Sequence, residues 1–258
     1  MPRLNHPRAI AGLVGFYSRL PVGDFADHTT PLAARIWLLP AASVVVALPA
    51  ALVLLAASTL WSSALFVAAL CALALIITTG GLHEDGLADC ADGFWGGATV
   101  DRRLEIMRDS RIGTYGVLAL VGAFVLKVAL LQAALGLGAW QAAALFVAAA
   151  VAARTVALYP WVGLPPARTD GLAVAAGRPT STAFRKAVVL GALITAALTV
   201  WISPFGFFLA ALGAAGAAKL VASLAERKIN GHTGDVIGCA VIVADIAYLA
   251  AFLLWLDL

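Results

Sequence analysis

Charged residues are scarce in this 258-residue chain. Only 12% of its residues are Asp, Glu, Lys or Arg, whereas 62% are hydrophobic, and the mean hydropathy is +0.97. Soluble proteins are roughly 25% charged and about 45–50% apolar, so the composition predicts an integral membrane protein instead. No Pro/Ser-rich linker, low-complexity tail or fixed-period repeat interrupts the chain. Residues 1–258 are therefore predicted to form a single polytopic membrane domain.

Cysteine is also rare, and familiar zinc and nucleotide motifs are missing. The three cysteines are an odd number without a CxxC pair, so neither a disulfide framework nor a zinc site is predicted. His83-Glu84 begins like the zinc motif HExxH, but Leu87 stands where the second histidine would be. Neither GxxxxGKS nor GxxxxGKT occurs, so any nucleotide is bound without a P-loop.

Seven apolar runs are long enough to cross a bilayer as helices, which takes roughly 17–25 residues. They span approximately residues 36–58, 62–79, 117–137, 139–161, 184–203, 205–224 and 236–256. Turn signals predict short hairpins at residues 58–59, 136–138 and 203–204. The predicted fold class is an all-α membrane protein of about seven transmembrane helices.

Ahead of these runs, the N-terminal segment has the pattern of an amphipathic helix. Its apolar stripe at helical spacing consists of Ile10, Leu13, Val14, Tyr17 and Leu20. The stripe lies beside Arg8 and Arg19, which suits a helix lying in the membrane interface. A signal peptide is the weaker interpretation, because residues 17–21 lack the small residues of a cleavage site.

Basic residues mark one face of the membrane. The N-terminal segment carries four of them, and residues 80–116, 168–186 and 225–235 carry four, four and two, which is fourteen of the seventeen in the chain. Because Lys and Arg concentrate at cytoplasmic helix ends, the N-terminus and these polar loops are predicted to be cytoplasmic. A transporter, the rival class, would more often show midplane binding groups and broken helices in related halves. The arrangement therefore favours an enzyme that takes soluble substrates.

Two charged residues fall inside the apolar runs at similar depth. Lys127 lies eleven residues beyond Gly116, and Asp245 lies ten beyond Asp235. At about 1.5 Å per residue, both lie roughly 15 Å below the same face. Because intramembrane charges are costly unless paired, we predict that Lys127 and Asp245 face each other, with Arg154 as the alternative partner.

Charge is concentrated in residues 80–116, which hold seven of the fourteen acidic residues and four arginines. Asp85, Asp89 and Asp92 stand at i, i+4 and i+7, which places them on one helical face. Glu84 lies at the edge of that face. Like charges at these spacings repel, so a compensating cation is predicted. Oxygen ligands alone point to Mg²⁺ as the metal held by the four carboxylates; the alternative is a solvated acidic face.

The second half of this stretch supplies positive charge, from Arg102, Arg103, Arg108 and Arg111. Because the planar guanidinium suits phosphate oxygens, and Mg²⁺ with Arg commonly stabilises phosphoryl transfer, these arginines are predicted to bind phosphate groups. One shared helical face is predicted for Asp101, Glu105, Arg108 and Asp109. The alternative for a single arginine is an intrahelical salt bridge, from Asp101 or Glu105 to Arg108.

The last polar loop lies at a helix entry and contains His232, Thr233 and Asp235 among glycines. Backbone N–H groups at a helix start can bind an anion, so these three residues are predicted to bind substrate. Capping of the helix by Asp235 is the alternative.

Three stretches of sequence together resemble one known family. GGLHEDGLADCADGFWGG at residues 80–97, followed by RRLEIMRDSRIGTYG at 102–116, closely resembles the signature region of the cobalamin synthase, or adenosylcobinamide-GDP ribazoletransferase, family. FYSRLPV at 16–22 and GHTGDVIG at 231–238 are similar to that family's N-terminal and C-terminal motifs. One departure is Asn230, where glycine is expected before Gly231.

The resemblance implies a Mg²⁺-dependent phosphotransferase of the bacterial cytoplasmic (inner) membrane. That family transfers the cobinamide phosphate moiety of adenosylcobinamide-GDP to α-ribazole or α-ribazole 5′-phosphate. GMP leaves and adenosylcobalamin or its 5′-phosphate forms, which is the nucleotide-loop assembly step of vitamin B12 biosynthesis. The expected partners are these substrates and the lipid bilayer, with a homo-oligomer or other cobalamin-pathway enzymes as further candidates and no nucleic acid. The spaced aspartates are also similar to those of CDP-alcohol phosphotransferases, the alternative function.

The resemblance also implies roles for individual residues. The four predicted metal ligands hold the metal against the pyrophosphate of the activated cobinamide. Arg108 and Arg111 neutralise phosphate charge, and either Asp92 or Asp109 accepts the proton of the ribazole hydroxyl.

Overall fold

The computed structural model of the protein describes residues 5–27, 29–171 and 175–257. Within these ranges the chain is helical, without a named strand, which confirms the predicted all-α fold. The helices are, in chain order, α1 (His6–Tyr17), α2 (Leu32–Arg35), α3 (Leu39–Leu60), α4 (Ala64–Thr79), α5 (Leu82–Gly96), α6 (Val100–Ile106), α7 (Thr114–Leu135), α8 (Ala139–Val156), α9 (Leu158–Gly163), α10 (Ser181–Thr199), α11 (Pro204–Ile229) and α12 (Gly234–Asp257). Arg3 and residues 172–174, which belong to segments predicted to face the cytoplasm, lie outside the described residues.

In the described part of the chain, six helical segments are long and apolar enough to span a membrane. They are Leu32–Leu60, Thr114–Leu135, Ala139–Gly163, Ser181–Thr199, Pro204–Ile229 and Gly234–Leu256. A seventh comes from the pair α4 and α5, which is bent by 91°. The pair counts as a span only when both helices are taken together, since α4 alone has 16 residues. The prediction of about seven transmembrane helices is confirmed.

One of the three predicted hairpin turns is misplaced. The turns predicted at residues 136–138 and 203–204 separate α7 from α8 and α10 from α11. The turn predicted at residues 58–59 is wrong, because α3 continues to Leu60. The Ser58 and Thr59 hydroxyls donate to backbone carbonyls one turn earlier, at 2.8 Å each. Bonded in this way, the two polar side chains fit inside a helix instead of ending it.

Helix α8 is the centre of the bundle. Every residue from 142 to 155 except Ala144 is buried, and most of this run is alanine. Small side chains let neighbouring helices approach closely, which is how membrane helices pack tightly. Buried side chains of the surrounding helices, among them Leu54, Leu131 and Tyr248, complete this main core.

The N-terminal helix α1 packs on the bundle through the predicted apolar stripe. Leu13, Val14 and Tyr17 are buried in a second core cluster, and the other two stripe residues pack partly buried against it. The predicted helix is confirmed. Its packing fixes the position of Arg19, two residues after the helix ends.

Two adjacent glycines form the bend between α4 and α5. Gly80 and Gly81 have φ values of +66° and +72°, a left-handed conformation that favours glycine. A Cβ at Gly80 would also collide with the Arg19 side chain. The bend therefore depends on glycine, and it turns the acidic helix α5 away from the direction of α4.

The two buried charges pair as predicted. The Lys127 ammonium donates to the Asp245 carboxylate, and both residues are buried. The Lys127 Nζ also lies 5.1 Å from the centre of the Phe146 ring. Arg154, the predicted alternative partner, instead donates to the Ala150 carbonyl of its own helix at 3.2 Å.

Candidate active site

Helices α5 and α12 cross in close contact at two glycines. A Cβ on Gly86 would lie 2.7 Å from the Asp235 carbonyl oxygen and 3.2 Å from the Gly238 Cα. A side chain at this position would push the two backbones apart, so the crossing requires glycine. The contact brings the first turn of α12, with Asp235, against the acidic helix α5.

Replacement of Gly86 by alanine should open this crossing. We expect Gly86→Ala to lower the free energy of unfolding by about 1–3 kcal/mol, as overpacking typically does. The matched control is Gly216→Ala on α11, where a Cβ would meet no atom within 4 Å. Thermal unfolding of both purified variants measures the difference, and equal stabilities would contradict the close crossing.

Asp85, Asp89 and Asp235 form a cluster of like charge at the crossing. Burial, and then the carboxylates of Asp235 and Asp85, raise the pKa of Asp89 to about 7. Among the described residues no salt bridge reaches Asp85 or Asp89, and Arg168 approaches Asp235 only to 3.6 Å. Repulsion of this kind is costly unless a cation offsets it.

A polar cavity of about 830 Å³ opens beside two of these aspartates. Its lining includes Asp85 and Asp89 from α5, Arg19 from the segment after α1, and Arg108 and Asp109 from the segment between α6 and α7. Carboxylates that can hold a hard cation, together with guanidinium groups, suit a pyrophosphate. We call this space the phosphate cavity.

The four predicted metal ligands are distributed over three places. Asp85 and Asp89 line the phosphate cavity, Glu84 lines a second, apolar cavity, and Asp92 lines neither. In residues 5–27, 29–171 and 175–257, no three His, Cys, Asp or Glu side chains are arranged to hold a metal ion. Asp85 and Asp89 nevertheless fit Mg²⁺, which usually takes one or two carboxylates and completes its shell with water and phosphate oxygens.

Asp92 holds the start of helix α7. Its two carboxylate oxygens accept hydrogen bonds from the N–H groups of Gly113 at 2.7 Å and Gly116 at 2.9 Å. N–H groups at a helix start have no partner within the helix, so this buried carboxylate satisfies them and joins α5 to α7. Its predicted roles as metal ligand and general base stay predictions.

Three of the four predicted arginines, Arg102, Arg103 and Arg111, lie outside the lining of the phosphate cavity. Arg103 donates to three backbone carbonyls at 2.9, 2.9 and 3.2 Å, one of them in α11. Arg102 forms an exposed salt bridge with Glu105 at 2.7 Å. These contacts favour a structural role for Arg103, because most of its donors are already used.

Helix α6 ends at Ile106, so the predicted helical face that included Arg108 and Asp109 does not form. Arg108 lies beyond the helix and pairs with Asp170 at 2.6 Å. Neither of the intrahelical bridges considered as the alternative for Arg108 forms, because the chain leaves the helix too early to bring Asp101 or Glu105 within reach.

Asp109 and Arg111 pair with each other in the segment before α7. Their side chains form a salt bridge at 2.7 Å, and Asp109 also accepts the Arg111 backbone N–H at 3.0 Å. These hydrogen bonds lower the pKa of Asp109 to about 2. A carboxylate of such low pKa is a weak base near neutral pH, which disfavours Asp109 as the proton acceptor. The Arg111 side chain is 87% exposed and is absent from the cavity lining.

The loop before α12 is held in place by backbone pairing. The His232 N–H donates to the Pro165 carbonyl, and the Ala167 N–H donates to the His232 carbonyl, each at 2.9 Å. The Thr233 hydroxyl donates to the Asp235 carboxylate at 3.0 Å. Burial lowers the pKa of His232, so its imidazole is neutral near pH 7. Of the three predicted substrate-binding residues here, only Asp235 is brought to the aspartate cluster.

Arg19 is a cavity residue that sequence reasoning did not select for the site. Its N–H donates to the Thr78 carbonyl at 2.7 Å, which ties the segment after α1 to the end of α4. Its side chain lies against Gly80 and lines the phosphate cavity. The signal that could have found it is its place in the FYSRLPV motif.

Together, the fold and the cavity define a multi-pass membrane protein with a polar site suited to phosphate groups. A family model described as cobalamin-5-phosphate synthase matches residues 9–253, and the chain belongs to this family. Its relatives include adenosylcobinamide-GDP ribazoletransferases from Azorhizobium caulinodans, 41% identical over 98% of each chain, and from Sinorhizobium medicae, 41% identical over 95% of each. A third, from Rhizobium etli, is 40% identical over 93% of this chain and 94% of the relative. No solved structure matches significantly. The family resemblance found in the sequence is confirmed.

Proposed function

We propose that this chain transfers the cobinamide phosphate moiety of adenosylcobinamide-GDP to α-ribazole or α-ribazole 5′-phosphate and releases GMP. The observation that carries the proposal is the match to a relative named for this activity, at 41% identity over 98% of both chains. The phosphate cavity supports it, because aspartates and arginines are the groups that phosphoryl transfer uses.

The proposed reaction is a displacement on a pyrophosphate. A ribose hydroxyl oxygen of the ribazole attacks the phosphorus that is attached to cobinamide. A new P–O bond forms there, the P–O bond to the GMP phosphate breaks, and GMP leaves with the bridging oxygen. The hydroxyl proton passes to a carboxylate of the site. To Arg19 and Arg108, which line the cavity, we assign the role of offsetting the charge that develops on the phosphate oxygens.

The metal part of the proposal rests on the aspartate cluster. Asp85 and Asp89, with Asp235 beside them, would hold Mg²⁺ against the pyrophosphate. The bound ion would supply Lewis acidity at the phosphate oxygens. We assign Asp92 to the positioning of α7 instead, because both of its oxygens already accept backbone N–H groups.

The face of the membrane is also part of the proposal. We place the phosphate cavity on the cytoplasmic side of the bacterial inner membrane, where soluble substrates arrive. The concentration of arginines in and around the cavity supports this orientation. A homo-oligomer and contacts with other cobalamin-pathway enzymes stay predictions.

Product release tests the function. Purified protein in lipid nanodiscs with Mg²⁺ should release GMP only when adenosylcobinamide-GDP and α-ribazole or its phosphate are both present. Absence of GMP with both substrates, in a preparation that is folded and monodisperse, would refute the proposal.

Replacement of Arg19 tests the phosphate cavity as the site. We expect Arg19→Gln to lower kcat/KM for the GDP-activated donor by about 10–100-fold, the effect of losing one charged hydrogen bond. Arg227→Gln is the matched control, since Arg227 is exposed on α11 and does not line the cavity. If both variants kept wild-type kinetics, the donor phosphates would bind elsewhere.

A further inference from the structure

A second cavity of about 430 Å³ lies beside the phosphate cavity. It is enclosed mainly by aliphatic and aromatic side chains of α4, α7 and α12, such as Leu75, Phe124 and Val241. Thr79 and Leu120 line both cavities, so the two spaces adjoin. We call the second space the apolar chamber.

Three polar side chains in the lining of the apolar chamber have buried atoms without a partner. His83 Nε2, Glu84 Oε2 and Arg154 Nε make no hydrogen bond within the part of the chain that the structure describes. His83 is 3% exposed and Arg154 is 2% exposed, so both side chains are buried. Buried polar atoms are nearly always paired, and their convergence on an apolar space is typical of a site for a small organic ligand.

The position of the chamber limits what that ligand can be. A molecule that reacts in the phosphate cavity can extend past Thr79 and Leu120 into the chamber with an apolar part. Of the two proposed substrates, the acceptor has such a part, because the base of a ribazole is a benzimidazole ring that carries no exocyclic amino group. Its free ring nitrogen accepts one hydrogen bond, and its ribose hydroxyls donate.

We infer that the apolar chamber binds the benzimidazole base of the acceptor ribonucleoside. This inference rests on the proposed function. An N–H of Arg154 or His83 donates to the free ring nitrogen, and the unpartnered Glu84 oxygen accepts from the ribose. Glu84 is thereby a residue for acceptor recognition rather than a metal ligand.

A chamber-filling variant tests this assignment. Ala123 lines the chamber from α7, whereas Ala129 on the same helix is exposed and does not line it. We expect Ala123→Leu to raise both the Kd and the KM for α-ribazole with a dimethylbenzimidazole base by at least about tenfold, as steric crowding in an apolar pocket does. The KM for the GDP-activated donor should stay unchanged, and Ala129→Leu should bind both like the wild type.

The dependence of the affinity loss on the size of the base distinguishes the base from other occupants of the chamber. The nucleoside of unmethylated benzimidazole should lose less affinity in Ala123→Leu than the dimethylated one. Should Ala123→Leu not fold, Leu75→Ala enlarges the chamber and should shift the preference toward bulkier bases.

Two results would overturn the inference. One is an unchanged Kd for α-ribazole in a folded Ala123→Leu protein, together with loss of a co-purified lipid in native mass spectrometry, which would make the chamber a lipid site. The other is an equal loss of affinity for the dimethylated and the unmethylated nucleoside in a folded Ala123→Leu protein. Because Kd is measured without the donor, these outcomes are distinct from failure of the proposed function, which shows as absence of GMP release.

Discussion

Asp89→Asn should abolish turnover while leaving the fold intact. Asp89 lines the phosphate cavity, and its carboxylate lies within a cluster that we assign to Mg²⁺. Asparagine keeps the shape but removes the charge that would hold the cation, so we expect kcat to fall by at least about 10²–10³-fold. The measurement is GMP release in nanodiscs at saturating concentrations of both substrates.

The same variant should be at least as stable as the wild type. The pKa of Asp89 is about 7 in the fold, well above the ordinary value of 3.8 for an aspartate. Between these pH values the folded state binds more protons than the unfolded state, so stability falls as pH rises through this window. Asp89→Asn should lack this decline in metal-free buffer, which thermal unfolding at several pH values would show.

Asp101→Asn is the matched control, because Asp101 is exposed on α6 and does not line the phosphate cavity. It should retain wild-type turnover. Substantial Mg²⁺-dependent activity in a folded Asp89→Asn protein would refute the assignment of this aspartate.

Lys127→Met should give the largest loss of stability. The substitution leaves the Asp245 carboxylate buried without its cation, and breaking one partner of a buried pair typically costs about 3–5 kcal/mol. Thermal unfolding in detergent measures the loss. Lys219→Met on α11 is the matched control, since Lys219 is exposed and its ammonium can reach the interface.

The double variant Lys127→Met with Asp245→Leu separates charge from packing. If the cost lies in the uncompensated carboxylate, the double variant should regain most of the stability lost in Lys127→Met. Equal destabilisation of the single and double variants would show that the pair stabilises the fold through side-chain packing rather than through charge neutralisation.

The membrane fold follows from composition and run length, and even one tertiary contact was predictable. Lys127 and Asp245 could be paired from sequence because depth in a membrane helix is a simple count of residues from a polar end. The cost of burying a single charge leaves few alternatives to pairing. The extent of α3 through Ser58 and Thr59 was not predictable in this way, because the hydroxyls had a partner inside their own helix.

The candidate site was only partly predictable. Helical spacing correctly grouped Asp85 and Asp89. It could not predict the direction of the Glu84 side chain, because Glu84 lies at the edge of that helical face. The crossing at Gly86 sets the rotation of α5 against α12, and this rotation turns Glu84 toward the apolar chamber. Helical spacing could not select Arg19, since only the packing of α1 brings it to the bend at Gly80, and its place in the FYSRLPV motif was the one available signal.

The arginines predicted to bind phosphate could not be distinguished from one another by sequence alone. Charge and proximity in sequence made Arg103 and Arg108 equivalent candidates. The structure separates them, because Arg103 is engaged by backbone carbonyls whereas Arg108 lies in the cavity lining. One carbonyl that Arg103 contacts belongs to Lys228, near the end of α11. The spacing of residues 101–111 contains no information about where α11 ends.

We propose that the protein joins cobinamide phosphate to a ribazole in the phosphate cavity. The most direct test is mass spectrometry of the corrinoid products formed in nanodiscs from adenosylcobinamide-GDP and α-ribazole 5′-phosphate. We predict adenosylcobalamin 5′-phosphate and GMP in equal amounts from the wild type, and neither from Asp89→Asn. GMP formed without the joined corrinoid, or product formed only from a CDP-alcohol donor, would contradict the claim.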